Sequence, residues 1–196
     1  MKYVILTVLA FAFLPLTAQE EKPEILPKEI QIKTAVLPAP EDKKEGAMVY
    51  GYNEAGEMVV LQEGTNDLVC VADNPNNEGI SVACYFIELE PFMKRGRELN
   101  VKGKSTKEKR EIRGAEVASG KLKMPKEPSM TYIYFGSEAT YDKTTAELGD
   151  GQFRYVIYTP FSTLESTGLP AKPHAKGMPW LMDPGTHRAH IMVGPF

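Results

Sequence analysis

The two cysteines, Cys70 and Cys84, constrain the fold of this chain more than any other feature of its sequence. Each lies in a short run of β-branched and apolar residues, LVCVA and ISVACYF, of the kind that forms strands. The residues between these runs, DNPNNEG at 73–79, are dense in turn formers. A hairpin centred near Asn77 would place the two sulfur atoms opposite each other. The sequence therefore predicts two paired strands joined by a structural Cys70–Cys84 disulfide, since no Cys-x-x-Cys redox motif occurs.

Disulfides form in oxidising compartments, and the start of the chain indicates export to one. It is MKYVILTVLAFAFLPLTAQE, in which Lys2 is the only charge before Glu20 and the apolar run at 4–14 ends at Pro15. This pattern is typical of a secretory signal peptide, which we predict for residues 1–18. A membrane-spanning helix needs about 20 apolar residues, and no run of that length follows. We therefore expect a periplasmic or secreted protein that does not span a membrane.

The composition of the chain changes near residue 46. Residues 19–45 contain four prolines among mixed charges and few aromatic residues, which is typical of an extended tether. Residues 46–196 carry strand or helix patterns over much of their length, which is normal for one domain. We predict a proline- and charge-rich tether followed by a single globular domain.

Strand patterns dominate the first half of this domain. The runs AMVYGY, EMVVLQ, LVCVAD and ISVACYF are separated by short turn-forming stretches. We therefore expect these strands to be successive neighbours in an antiparallel meander. Later strands are predicted in the runs TYIYFG, QFRYVIYTP and AHIMV, which gives a sheet of about six or seven strands.

Two helices are predicted between these groups of strands. The run LEPFMKRGREL indicates the first, because proline suits the first helical turn and the apolar residues share one face. Ser105 and Glu108 form the pattern of a capping box before the second helix, which has few apolar residues and should lie on the surface. Helices packed on an antiparallel sheet define the α+β class.

The residues after Pro160 show little regular pattern. Prolines and glycines interrupt the chain repeatedly almost as far as Ala189. A long irregular stretch in a compact domain is more often functional, or wrapped over a surface, than idle. We predict that this proline-rich segment, Pro160 to Arg188, crosses one edge of the sheet and forms a recognition surface with Trp180 exposed or half-buried.

Several of these runs together resemble an uncharacterised group of exported bacterial proteins that has no assigned activity. The resemblance rests on EGAMVYGY through VVLQEGTN to SVACYF, and on LEPFMKRGREL, GKLKMPKEP, RYVIYTPF, STGLP and PWLMDPGT. It covers most of the chain after the tether. It implies a single compact domain rather than a member of a well-known enzyme family, and it implies no activity, cofactor or site.

The C-terminal segment also contains candidate metal ligands. It holds all the histidines of the chain, His174, His187 and His190, together with Met182. Imidazole and thioether groups suit soft ions, so these side chains are candidate ligands for copper. Residues three apart in a strand face opposite sides, so His187 and His190 can share an ion only if a turn reorients His187. We expect no cofactor, and keep copper binding as an alternative.

Motifs of common enzymes are absent or incomplete. The GKS run at 103–105 lacks the earlier glycine of a phosphate-binding loop, and no G-x-S-x-G or H-E-x-x-H occurs. Hydrolysis remains a further alternative if Ser162 or Ser166 meets His190, with Asp183 orienting the imidazole. No catalytic residue can be assigned on this basis. We expect an exported, non-catalytic binding or accessory domain, whose ligand or protein partner the sequence does not identify.

Positive charge is concentrated between Lys94 and Lys126. Twelve Lys or Arg residues accompany four Glu there, although the whole chain has a net charge of −3. Such a patch can contact an anionic surface weakly. Nucleic acid is not expected as a partner, because aromatic residues that could stack on bases are scarce in this stretch. The more ordinary interpretation is a solvated helical face.

Overall fold

The computed structural model describes residues 23–195, so the predicted signal peptide and residues 19–22 lie outside it. Its α-helices are α1 (Lys28–Ala35), α2 (Glu90–Val101), α3 (Thr106–Ala118) and α4 (Leu164–Thr167). Its strands are β1 (Met48–Tyr52), β2 (Met58–Gln62), β3 (Leu68–Val71), β4 (Ile80–Phe86), β5 (Ser129–Gly136), β6 (Tyr141–Asp142), β7 (Glu147–Leu148), β8 (Gln152–Tyr158), β9 (Trp180–Met182) and β10 (His190–Val193). The predicted α+β class is confirmed.

Eight strands form one sheet in the order β2-β1-β3-β4-β5-β8-β10-β9, and β6 pairs with β7 in a separate hairpin. The sheet is mainly antiparallel, as expected, but it has more strands than the six or seven predicted. The additional strand is β9, which has only three residues and therefore too short a pattern to recognise in a proline-rich segment.

The predicted order of the first strands is wrong, because β1 lies between β2 and β3 and runs parallel to β3. The connection from β2 to β3 crosses the start of β1 instead of turning back on itself. There the N–H groups of Thr65 and Asn66 donate to the Gly46 carbonyl at 2.8 and 3.1 Å. The Asn66 side chain also donates to the Lys43 carbonyl at 2.8 Å. These bonds hold the connection across the chain that enters β1.

The disulfide prediction is confirmed. Cys70 and Cys84 face each other as direct partners in the antiparallel β3–β4 pair, and a disulfide joins them. Both side chains are fully buried. The two strands they join lie in the middle of the sheet, so the bond connects the centre of the core.

Residues 23–45 differ from the predicted tether, because they contain α1 and pack against the sheet. Ala35 is fully buried in a cluster with the disulfide. The Gln31 side chain donates to the carbonyls of Leu26 and Tyr52 at 2.7 and 2.9 Å, and accepts from the Tyr52 N–H at 2.8 Å. Ile32 and Val36 also pack against this cluster, but these few apolar contacts and one amide side chain do not produce a strong apolar pattern along the helix.

The opposite face of the sheet is covered by α2. Tyr85 and Cys84 are consecutive in β4 and so point to opposite faces, and Tyr85 clusters with Leu89 and Met93. A polar network also joins α2 to the sheet. In it, Glu90 accepts hydrogen bonds from Tyr85 at 2.6 Å and from Arg97 at 2.6 Å. The position of α2 is therefore fixed by both apolar and charged contacts.

The two larger helices begin where the sequence predicted. Helix α2 carries proline in its first turn, and α3 begins with the complete Ser105–Glu108 capping box. No residue of α3 is buried, which confirms its surface position, and it packs beside α2. Within residues 23–195, no helix combines the length and the apolar character needed to cross a membrane.

Candidate functional site

The structure brings two of the four predicted metal ligands together at one edge of the sheet. His190 in β10 and Met182 in β9 are direct cross-strand partners, so their side chains share a face. His190 is 7% exposed and Met182 is 37% exposed. The His190 Nδ1 atom lies 2.6 Å from the Arg188 carbonyl oxygen, and this contact requires that Nδ1 carry the proton. The Nε2 atom is then left with a free lone pair.

His187 lies in the loop before β10 and faces the helices. Its ring packs edge-on against Phe92 of α2, with ring centres 5.9 Å apart. Its Cε1 atom lies so close to α3 that a Cβ atom on Gly114 would approach it to 3.2 Å. Burial, and then the charges of Arg188 and Arg113, lower the pKa of His187. His187 is therefore held as a neutral ring against the helices.

The two histidines lie at the ends of a chain of ring contacts. Tyr158 of β8 packs on His190 with ring centres 5.3 Å apart and on Phe92 with ring centres 6.0 Å apart. Phe92 in turn contacts His187. The third histidine, His174, is exposed in the segment between α4 and β9. Among residues 23–195, no three His, Cys, Asp or Glu side chains are grouped as metal ligands.

Positive charge surrounds this chain of rings. The Arg113 guanidinium lies 4.0 Å from the centre of the Phe92 ring and donates to the Phe92 carbonyl at 3.3 Å. Burial lowers the pKa of Arg113, and the charges of Arg188 and Arg110 lower it further. Arg188 forms an ion pair with Asp183 at 3.1 Å. Nearby arginines disfavour a metal cation, so they count against copper at this position.

The predicted serine candidates are held by their own turns. The Ser166 hydroxyl donates to the Thr163 carbonyl at 3.2 Å and accepts from the Thr163 N–H at 2.9 Å, within the capping box of α4. The Ser162 carbonyl accepts from the Gly185 N–H at 2.7 Å, which ties its turn to the loop after β9. The Ser166 hydroxyl therefore has a structural role as a helix cap, and the backbone of Ser162 stabilises the adjacent loop.

The C-terminal segment exposes several large apolar side chains. Phe161 is 57% exposed, and Leu164, Met178 and Met182 are each about as exposed as Phe153 on β8. Phe161 has a φ of 66°, a conformation that bulky residues rarely adopt. Its N–H donates to the Thr186 carbonyl at 2.8 Å, so the loop before β10 holds this turn in place. Trp180 is half-buried, within the range predicted.

Part of the basic segment is paired with nearby carboxylates. Five of its cationic side chains have carboxylate partners within 4 Å: Arg95, Arg97, Lys104, Lys107 and Lys121. The positive surface is therefore weaker than the sequence count suggests. Contact with an anionic surface stays a prediction.

A second candidate site, which the sequence did not indicate, is a cleft on the α1 side of the molecule. It lies between the N-terminal residues, the end of β1, the β3–β4 loop and the segment around β6. Its volume is about 100 Å³. The lining residues include Glu24, Gln31, Thr34, Tyr52, Asp73, Asn77, Ile80, Glu138, Tyr141 and Lys143.

Asp73 is the central charged group of this cleft. Its Oδ1 atom accepts from the Ser81 N–H at 2.8 Å. Burial is the largest influence on the carboxyl and raises its pKa to about 6, while Glu138 raises it further and backbone N–H groups oppose the shift. Burial also raises the pKa of Tyr52, and the charge of Asp73 adds to that effect. This site could not be predicted from the sequence, because its residues are far apart along the chain and DNPNNEG has the composition of an ordinary turn.

These features define a mixed α+β protein with a disulfide at the centre of its sheet, an apolar surface on its C-terminal segment and an acidic cleft beside α1. No family model, curated protein or solved structure matches the chain.

Proposed function

We propose that this chain is an exported, non-catalytic binding or accessory domain whose recognition surface is the segment from Pro160 to Arg188. The exposed and conformationally strained Phe161 is the observation that carries the proposal. A bulky residue at positive φ costs about 1–3 kcal/mol, and strained residues cluster at functional sites. Because the ring is largely exposed, its burial offsets little of this cost in free energy. This supports a role for the ring in contact with a partner. The buried disulfide supports export.

An extended peptide is the class of partner that fits this surface. Strand β9 ends the sheet, so one side of its backbone has no neighbouring strand among residues 23–195. The N–H of Leu181 in β9 already donates to the Pro170 carbonyl at 3.0 Å, so an extended peptide would pack its apolar side chains against the exposed ones of this surface rather than add a strand. Trp180 and Met182 lie on the same face of β9. The loop that follows β9 holds Phe161 in place through the hydrogen bond to the Thr186 carbonyl.

Selection from a phage-displayed library of random peptides of about 12 residues tests the proposal. We expect the protein to enrich peptides with alternating apolar residues. Phe161→Gly should weaken their binding by about tenfold, because it removes the ring without removing a buried contact. Val60→Ser is the matched control, since Val60 is 41% exposed on β2 at the other edge of the sheet. Equal loss in both variants, or no enrichment, would count against the proposal.

Copper binding is a second proposal, and the pairing of His190 with Met182 favours it. The imidazole Nε2 atom and the thioether lie on one face of the β9–β10 pair. Cu(I) titration against a competing chelator should show one site that the His190→Ala, Met182→Ala double variant loses. Equally weak binding by both proteins would exclude it.

A further inference from the structure

We propose that the cleft beside Asp73 binds a small molecule that carries a primary ammonium group. This proposal is independent of the peptide-binding surface, because the cleft lies beside α1 and involves no residue of the C-terminal segment. The two proposals can therefore fail separately.

The charges that line the cleft favour a cation. The lining includes three acidic residues, Glu24, Asp73 and Glu138, and one basic residue, Lys143. The Lys143 Nζ atom is already 2.7 Å from the Glu24 carboxylate and 3.7 Å from that of Glu138. The Asp73 carboxylate therefore has no cationic partner among the side chains that line the cleft. A ligand with one positive charge would supply it.

The hydrogen bonds of Thr34, Gln31 and Tyr141 leave an acceptor rather than a donor available at this part of the cleft. Thr34 has one hydroxyl hydrogen, which goes to the Ile30 carbonyl at 2.8 Å. Tyr141 must then donate to Thr34 in the short hydroxyl contact between them, so the Tyr141 oxygen keeps its lone pairs as acceptors. The Gln31 amide is fully used by backbone groups of Leu26 and Tyr52. An ammonium group, with three N–H donors and no acceptor, complements this arrangement.

The apolar part of the lining limits the rest of the ligand. Leu26 and Ile80 line the cleft together with the rings of Tyr52 and Tyr141. Aromatic and aliphatic groups can enclose a short hydrocarbon stem, and aromatic faces attract a nearby cation. A volume of about 100 Å³ has room for a short alkyl chain rather than for a large molecule. A short alkylamine fits these limits.

The proposal can be tested by titrating n-butylammonium into the chain without its predicted signal peptide. The NMR signal of the Ser81 amide monitors binding. Ser81 reports directly because its N–H donates to Asp73. We expect a saturable shift in the wild type. Asp73→Asn should weaken binding by about tenfold, since it removes the charge but keeps an oxygen for the Ser81 bond. Neutral n-butanol and donor-free tetramethylammonium should bind more weakly than n-butylammonium.

Glu78→Gln is the matched control for charge. Glu78 lies in the same loop as Asp73, is exposed and does not line the cleft. The Glu78→Gln variant should bind n-butylammonium as tightly as the wild type does. If both variants lost affinity for n-butylammonium equally, general electrostatic attraction would explain the binding. That result would overturn the proposal. The absence of a saturable shift in the wild type, or equal binding of n-butanol, would also overturn it.

The pH dependence of the wild type gives a second measurement that needs no variant. The groups facing the ligand would be Asp73, Glu138, Glu24, Lys143 and the two tyrosine hydroxyls. Asp73 must be ionised to hold an ammonium group, so affinity should fall about tenfold as the pH is lowered from about 7 to about 5. Affinity that does not change over this range would contradict the role of Asp73.

Discussion

Burial in the cleft changes the acid–base behaviour of Asp73. Its pKa is raised from 3.8 to about 6. Between these two values the folded protein retains a proton that the unfolded chain releases. The contribution of Asp73 to the free energy of unfolding must therefore fall as the pH rises through this window, and it stays lower above it.

Replacement of Asp73 by asparagine should therefore stabilise the protein at neutral pH. Because Asp73 is only partly enclosed and solvent screens its charge, we expect a gain of about 1 kcal/mol in the free energy of unfolding at about pH 7.5. The difference should vanish below about pH 3, where the wild-type carboxyl is protonated in both the folded and the unfolded state. Urea unfolding at both pH values measures it. A less stable variant at neutral pH would show that the carboxylate is stabilised by its surroundings.

Phe161 provides a second test at the scale of one residue. Its φ is 66° and its ring is exposed, so backbone strain should cost more free energy than the packing of the ring contributes. We expect Phe161→Gly to raise the free energy of unfolding by about 1 kcal/mol, as measured by urea unfolding.

Gly168 allows the reciprocal experiment. It ends α4 with a φ of 67°, and a Cβ atom there would meet open space. Gly168→Ala should therefore destabilise the protein by about 1 kcal/mol through backbone strain alone. If Phe161→Gly is destabilising to the same degree, the ring contributes to the fold and its exposure does not indicate a binding role.

At the scale of secondary-structure elements, charged contacts differ in value according to their burial. The ion pair of Arg97 with Glu90 has side chains that are 17% and 18% exposed, and it joins α2 to the sheet through Tyr85. The pair of Lys107 with Glu111 on α3 is 87% and 63% exposed. Removal of one partner from an enclosed pair leaves a charge without solvent, whereas an exposed charge is simply hydrated.

We therefore expect Arg97→Ala to lower the free energy of unfolding by about 3 kcal/mol. Part of this loss arises because Glu90 is left charged between two tyrosine hydroxyls. Lys107→Ala, the control on the neighbouring helix, should change the free energy by less than about 0.5 kcal/mol. Thermal and urea unfolding would compare the two variants. Similar effects would mean that the network contributes little to the docking of α2.

At the scale of the whole molecule, the disulfide closes the hairpin at the centre of the sheet. Closure of a loop of about 15 residues is worth roughly 3 kcal/mol in the chain-entropy description. We expect the Cys70→Ala, Cys84→Ala double variant to lose about that amount, or more where the buried sulfur atoms leave a cavity. Urea unfolding of the variant and the oxidised wild type measures it. A loss below about 1 kcal/mol would show that the sheet is held mainly by its apolar contacts.

Elements whose signals are local could be predicted from the amino-acid sequence. The β3–β4 hairpin follows from turn formers between two strand-forming runs, and its centre sets the pairing of Cys70 with Cys84. Helix α3 begins where Ser105 and Glu108 satisfy the free N–H groups of its first turn. Each of these signals lies within about 15 residues of chain, so no knowledge of distant partners is needed.

Features that depend on contacts between distant residues could not be predicted in this way. The placement of β1 between β2 and β3 depends on bonds to Gly46 and Lys43, and the docking of α1 depends on the fit of Gln31 to the backbone of Tyr52. Likewise, the cleft exists because Tyr52 and Tyr141 are brought beside Asp73. The free energy of these contacts comes from burial and hydrogen bonding between residues far apart in sequence, and such pairings leave no periodic pattern in the chain.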